Sequence, residues 1–235
     1  MARKITVVDY NPNWVKEYKA EAKKLQAILG KNCVAVHHFG STSVKGMKAK
    51  PTIDLMAVVK EDDQVMKQLD ELRELGYEYK GEFGIAGRAF FVKGGDEHTH
   101  HLHIYKEKNK KAIGRHLAVR EYLKAHPETA KEYGELKLRL AEEFPYDANG
   151  YCNGKDRYVS ELEEKAMAWS EEQVRQGNYT AFGLCIGLAI GCFWGSVVGD
   201  GAFGTMSLYM CLGMCVGMAI GAAVGAIKGK KNKKA

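Results

Sequence analysis

HHFGSTSVKGMKAKPTIDLM, residues 37–56, is the stretch on which the fold turns. A β-branched apolar run ends at Phe39 and gives way to Gly40-Ser41-Thr42-Ser43. A lone acid, Asp54, then stands inside a second apolar run. Two interpretations fit. One is a tight turn between two strands. The other is an anion cradle, in which backbone N–H groups are free at the bend and the start of a short helix favours negative charge. In the second case the hydroxyls of Ser41, Thr42 and Ser43 add donors. Asp54 would then hold a divalent ion, since Mg²⁺ is satisfied by one or two carboxylates plus phosphate oxygens.

Outward from this stretch the chain alternates between helical and extended patterns. KITVVDY (4–10) alternates like a strand. NPNWVKEYKAEAKKLQAILG (11–30) carries one apolar helical face from Trp14 to Leu29 and stops at Gly30. CVAVHHFG and PTIDLMAVVK read as strands, the second as a central one. DDQVMKQLDELRELG (62–76) reads as one amphipathic helix ended by Gly76. YEYKGEF, RAFFVKG and HTHHLHIYK follow as antiparallel strands. From Lys110 to Gln173 the pattern is helical, with breaks at Pro127 and Pro145. Strands and helices in this order predict an α+β domain with a mixed sheet.

Several side chains are candidates for chemistry. Alternation along His98-Thr-His-His-Leu-His103 puts His101 and His103 on one strand face, and we expect that face to meet Asp54. An imidazole pair with a carboxylate shifts metal preference from Mg²⁺ towards Mn²⁺, Fe²⁺ or Zn²⁺; histidines that only hydrogen-bond the sheet fit the same pattern. Lys50, kept extended by Pro51, and Lys155 are lysines able to meet a phosphate as point charges, or to lie in solvent. His37 or His38 is expected to face the same pocket, or to be a buried structural histidine. Arg115 and Arg120 fit phosphate contacts or surface ion pairs with Glu121 or Glu128.

Composition changes near Gln176. Residues 179–199 and 201–227 carry no charge, and Asp200 alone divides them. Each stretch is long enough to cross a hydrocarbon core of about 30 Å as a helix. Glycines recur every fourth residue, at 183, 187, 191, 195 and 199 and again at 213, 217, 221, 225 and 229. In a helix that spacing forms one small-residue face on which backbones approach closely. We therefore expect a domain over residues 1–175, then a glycine-zipper transmembrane hairpin over 176–235. Its helices lie at about 179–199 and 206–227, GDGAFGT is its turn and the lysines after Ile227 its basic tail. The glycine faces join the two helices or recruit further copies of the chain. The lysines place both termini and the first domain in the cytoplasm.

The net charge of +6 falls largely on that tail, so no nucleic-acid surface is expected. The six cysteines form no CxxC pair, and reduced thiols in a cytosolic compartment are expected. The N-terminus has no signal-length apolar run. GxxxxGK[ST] is absent, and GYCNGKD has the wrong spacing for it.

The order strand, Gly-Ser, acidic strand resembles nucleotidyltransferases of the polymerase-beta type. HHFGSTSVKGMKAKPTIDLMAVV more closely resembles the signature of the GrpB family. YNPNW, HHLHIY (100–105), RHLAVREYLKAHPE (115–128) and YCNGKDRYV (151–159) agree with it in order. The resemblance implies a nucleotidyltransferase-like fold, with a nucleoside triphosphate or other phosphorylated small molecule at Gly40–Ser43 and Lys155. It implies a divalent metal at Asp54, and Lys50 and Asp54 as catalytic groups. One departure stands out: a two-metal site carries acids at i and i+2 on its strand, and the second position is Met56. Alternatives are a non-catalytic sensing or scaffold domain anchored in the membrane, and a glycine-zipper membrane oligomer regulated by that domain.

Overall fold

The helical face between Asn11 and Leu29 forms α1, Asn13–Leu29. Trp14, Glu21, Ala22, Leu25 and Leu29 are its buried positions, and Gly30, at φ +53°, ends it. The structure, a computed structural model, describes residues 4–198 and 203–232. The chain divides into two compact units between Met167 and Ala168.

In the first unit a five-stranded mixed sheet is built from β1 (Cys33–Phe39), β2 (Ile53–Val59), β3 (Tyr77–Tyr79), β4 (Arg88–Lys93) and β5 (His100–Lys106). Its order is β1-β2-β5-β4-β3. β2 and β5 run parallel, and every other neighbouring pair is antiparallel. β2 is therefore an inner strand, but β5 and not β2 is central. Alternation divides the sheet's side chains. Ile53, Leu55, Ala57, Leu102 and Ile104 pack with α1 in the main core. Asp54, Met56, His101, His103 and Tyr105 take the opposite face. There α4 (Lys110–Ala125) lays Ile113 and Leu117 against Phe39, Met56 and Tyr105.

KITVVDY does not form a strand. Val8 makes one isolated bridge to Ala49, and Ile5 N–H donates to Pro145 O, so the segment pairs with loops. The helix expected over 62–76 is two short ones, Asp62–Met66 (α2) and Leu69–Glu74 (α3). Between them Gln68 donates to Ile28 O, which ties the break to the end of α1. α5 (Pro127–Glu143) begins at Pro127, and α6 runs from Ala148 to Val198. No cysteine is paired among the described residues.

In the second unit, the later part of α6 lies beside α7 (Phe203–Asn232) through glycines on both. A Cβ on Gly187 would lie 2.8 Å from Gly217 Cα, and one on Gly183 2.8 Å from Gly221 Cα. Real side chains do not tolerate such distances, so the two backbones meet where side chains are missing. Phe182, Ile186, Leu212, Val216 and Ile220 are exposed on the outside of the pair. Ser207–Ile227 is the one segment among the described residues found long and apolar enough to cross a membrane. Gly199 and Asp200, with the first half of the expected turn, lie outside the described residues.

Candidate functional site

Gly40 follows the last residue of β1 and adopts φ +68°, ψ −173°, a conformation that glycine alone adopts without strain. It rests against the next strand. A Cβ at this position would fall on Asp54 Oδ2 and lie 3.0 Å from Asp54 Cγ. The bend and the carboxylate are thus in contact. Ser41–Ser43 forms a 3₁₀ turn whose three hydroxyls diverge. Ser43 Oγ donates to Gly40 O (2.6 Å) and holds the bend. Thr42 Oγ1, buried, is 3.0 Å from His38 Nε2. Ser41 Oγ accepts from Lys137 Nζ at 2.7 Å.

A cleft of about 360 Å³ opens on this face of the sheet. Gly40, Ser41, Thr42, Lys50, Asp54, His101, His103 and Lys155 all border it; Ser43 does not. Asp54 sits opposite His101 in the β2–β5 register, with His101 Nδ1 3.2 Å from Asp54 Oδ1. Burial alone would raise the Asp54 pKa. The hydrogen bond from His101 and the nearby positive charges, Lys50 among them, overcome that and hold the carboxyl below its ordinary value. Lys50 and Lys155 lie over the ring of buried Tyr151, 5.1 and 5.4 Å from its centroid.

His103 is placed differently. Its Nδ1 is 3.3 Å from Arg88 Nη1, and its ring is wedged between Phe39 and Phe90, 4.9 Å from each. Burial, with Arg88 beside it, pushes its pKa down to about 3, so it is neutral at pH 7. Asp54, His101 and His103 border one cleft, but their ligand atoms do not all come within 4.8 Å of one another. Among the described residues only the exposed Glu61, Asp62 and Asp63 do so. Met56, where a second acid would stand, is fully buried against Phe39 and Tyr105. The residues therefore do not fit a two-metal centre. One ion shared by Asp54, His101 and a ligand's own oxygens remains compatible with them.

Neither His37 nor His38 borders the cleft. His38 stacks on Tyr18 (4.7 Å) and bonds Thr42, and burial lowers its pKa to about 4. Arg120 donates to His38 O at 2.8 Å and pairs with Glu121, and Arg115 pairs with Glu163. Of these, His38 and Arg120 hold the end of β1 and the turn that follows it.

Lys137 was not singled out from the sequence. On α5 the buried positions are Ala130, Gly134, Lys137, Leu140 and Ala141, a helical stripe with one lysine in it. That is the signal that would have found it: a cation on an apolar face needs polar partners. It donates to Ser41 Oγ and to Lys48 O (2.6 Å) and lies 4.8 Å from the Tyr133 ring centroid. Gly134 lets α5 approach Lys48 closely enough for this reach; a Cβ there would lie 3.3 Å from Lys48 Cβ. Burial, then the charge of Lys155, bring the Lys137 pKa down to about 7.

Residues 4–165 match a family model described as GrpB protein. The UPF0157 protein YqkA of Bacillus subtilis (strain 168) is 43% identical over 169 residues, which is 72% of this chain. The chain spans about half the length of that relative, 49%. The crystal structure of conserved protein GrpB from Enterococcus faecalis superposes with a TM-score of 0.67 at 43% identity. It covers 68% of this chain and 96% of that one. A poly (U) polymerase, solved with Mg 3'-dATP bound, matches at a TM-score of 0.41 and 20% identity over 58% of this chain and 42% of its own.

Proposed function

The chain belongs to the GrpB family, and from that premise we propose that its cleft binds a nucleoside triphosphate or a similar phosphorylated small molecule. One observation supports this above all: Lys137 donates to Ser41 beside Gly40, while the same bend touches Asp54. Lys50, Lys137 and Lys155 border one cleft and supply the positive charge a polyphosphate needs. Asp54 and His101 are the side chains that would hold a divalent ion, Mg²⁺ or Mn²⁺ first and Zn²⁺ by its imidazole preference. Such an ion would offset negative charge on the phosphates. In a transferase reading, Lys50 and Lys137 stabilise charge on the phosphates as an acceptor hydroxyl oxygen attacks the α-phosphorus, giving up its proton to solvent while pyrophosphate leaves.

A second reading, ligand binding without turnover, is favoured by Met56. With that position buried and apolar, only one strand carboxylate faces the cleft. Calorimetry with ATP, CTP, GTP and UTP, each with Mg²⁺ or Mn²⁺, tests the common part; absence of heat with all four removes it. The two readings separate on Asp54→Ala. Metal-dependent binding is lost in the first, and anion binding persists unchanged in the second.

We further propose that α6 and α7 anchor the first unit to a membrane as a hairpin, with both termini cytoplasmic. Their apolar outer face and the lysines that follow Ile227 support this. If the hairpin anchors the chain, it stays with membranes through an alkaline carbonate wash. Release into the supernatant would refute it.

A further inference from the structure

At the mouth of the same cleft Phe83 is 69% exposed. A single exposed aromatic is ordinary. This one is set in place by its surroundings. Phe83 holds φ +45°, which a bulky residue rarely adopts. The turn that carries it is fixed from two sides. Arg88 donates through Nη2 to Phe83 O (2.7 Å) and through Nε to Glu82 O (3.2 Å), and Gly87 N–H donates to Glu82 Oε1 (2.6 Å). The ring is backed by Phe90, with centroids 5.3 Å apart and planes 28° from parallel. Phe90 in turn touches His101 and His103, the latter 4.9 Å away. The cleft is therefore asymmetric in its chemistry, with lysines around the Gly40 bend and an aromatic pair at Phe83.

We propose that Phe83, backed by Phe90, is a stacking platform for the planar ring of a nucleotide whose phosphates lie at the Gly40 bend. This rests on the phosphate-binding reading above and narrows it to ligands that carry an aromatic base. The platform takes the ring without reading its edge. Phe83 and Phe90 have no hydrogen-bonding side-chain atoms, and the Arg88 guanidinium beside them is engaged by two carbonyls and by His103. Stacking of this kind is tolerant of base identity because every base has a π-face.

The test is calorimetry on the full chain in mild detergent, with inorganic tripolyphosphate and ATP as paired probes. Phe83→Ala is expected to weaken ATP about tenfold or more while leaving tripolyphosphate unchanged, and Phe83→Trp to retain ATP. The four nucleoside triphosphates are expected to bind within about tenfold of one another, purines tighter. An unchanged ATP affinity in Phe83→Ala would overturn the platform, as would an equal loss for tripolyphosphate. Discrimination of more than about a hundredfold among the bases would overturn reading by stacking alone. If the unaltered chain binds neither probe, the phosphate reading itself fails and takes the platform with it. If it binds tripolyphosphate as tightly as ATP, only the platform fails.

Discussion

Gly40→Ala isolates the contact on which the site is built. Two costs add at this position. An L-residue at φ +68°, ψ −173° is strained by about 1–3 kcal/mol. The new methyl would also stand 3.0 Å from Asp54 Cγ and 3.1 Å from Asp54 Cβ, where carbon atoms prefer about 3.5–4.0 Å. Moving the carboxylate aside, against its hydrogen bond to His101, adds about 1–3 kcal/mol. The expected loss is therefore about 2–6 kcal/mol, read as a drop in the urea midpoint followed by far-ultraviolet circular dichroism. Gly46→Ala is the control. Gly46 has φ +80° and nothing within 4 Å of its built Cβ, so it carries strain alone, about 1–2 kcal/mol. In an Asp54→Ala background the contacts with Oδ2 and Cγ disappear while the one with Cβ stays, so Gly40→Ala should be milder by about 1–2 kcal/mol. An equal cost in both backgrounds would refute the close approach of bend and carboxylate.

Three further outcomes follow from other parts of the molecule. Free Lys137 gives up its proton near pH 7, and a bound polyphosphate would hold that proton on. ATP affinity should therefore be full below about 7 and fall as pH rises beyond it, by at most about tenfold per unit. Binding heats at pH 8 should then differ between Tris and HEPES, and Lys137→Met should abolish the difference; buffer-independent heats would sink this. Met56→Asp buries a carboxylate among Phe39, Tyr105 and Leu117, so thermal melts should show a loss of about 3 kcal/mol with no gain in Mn²⁺ affinity by paramagnetic resonance. Gly187→Leu drives a side chain into Gly217, so α6 and α7 should separate more readily on heating in detergent. ATP heats should stay unchanged, and a change in them would show that the hairpin controls the cleft.

The strands on either side of the Gly-Ser bend, α1 with its Gly30 stop, and Pro127 at the start of α5 were legible because local chemistry specifies each of them. Placement within the sheet was not. Nothing within Ile53–Val59 says that β5 will lie between it and β4, because that depends on pairing between distant segments. KITVVDY has the alternation of a strand but finds only Ala49 to bridge. At the site, alternation put His101 and His103 on one face of their strand but could not by itself put Asp54 there, which the β2–β5 register does by pairing it with His101. It could not show that Arg88, fifteen residues before His103, would occupy that ring's Nδ1. Lys137 escaped notice because its partners, Ser41 and Lys48, are 96 and 89 residues away along the chain.

The strand order has a further consequence for how this molecule comes into being. β1 and β2 can zip together as soon as they are made, and so can β3 and β4, but each is a two-stranded ribbon with marginal independent stability. The keystone between the ribbons, His100–Lys106, is the last strand to leave the ribosome. Until it arrives, Asp54 has no histidine beside it. The nascent chain thus passes through translation of its first hundred residues without a finished sheet, and the cleft is closed later still, once α5 and α6 bring Lys137 and Lys155 to it.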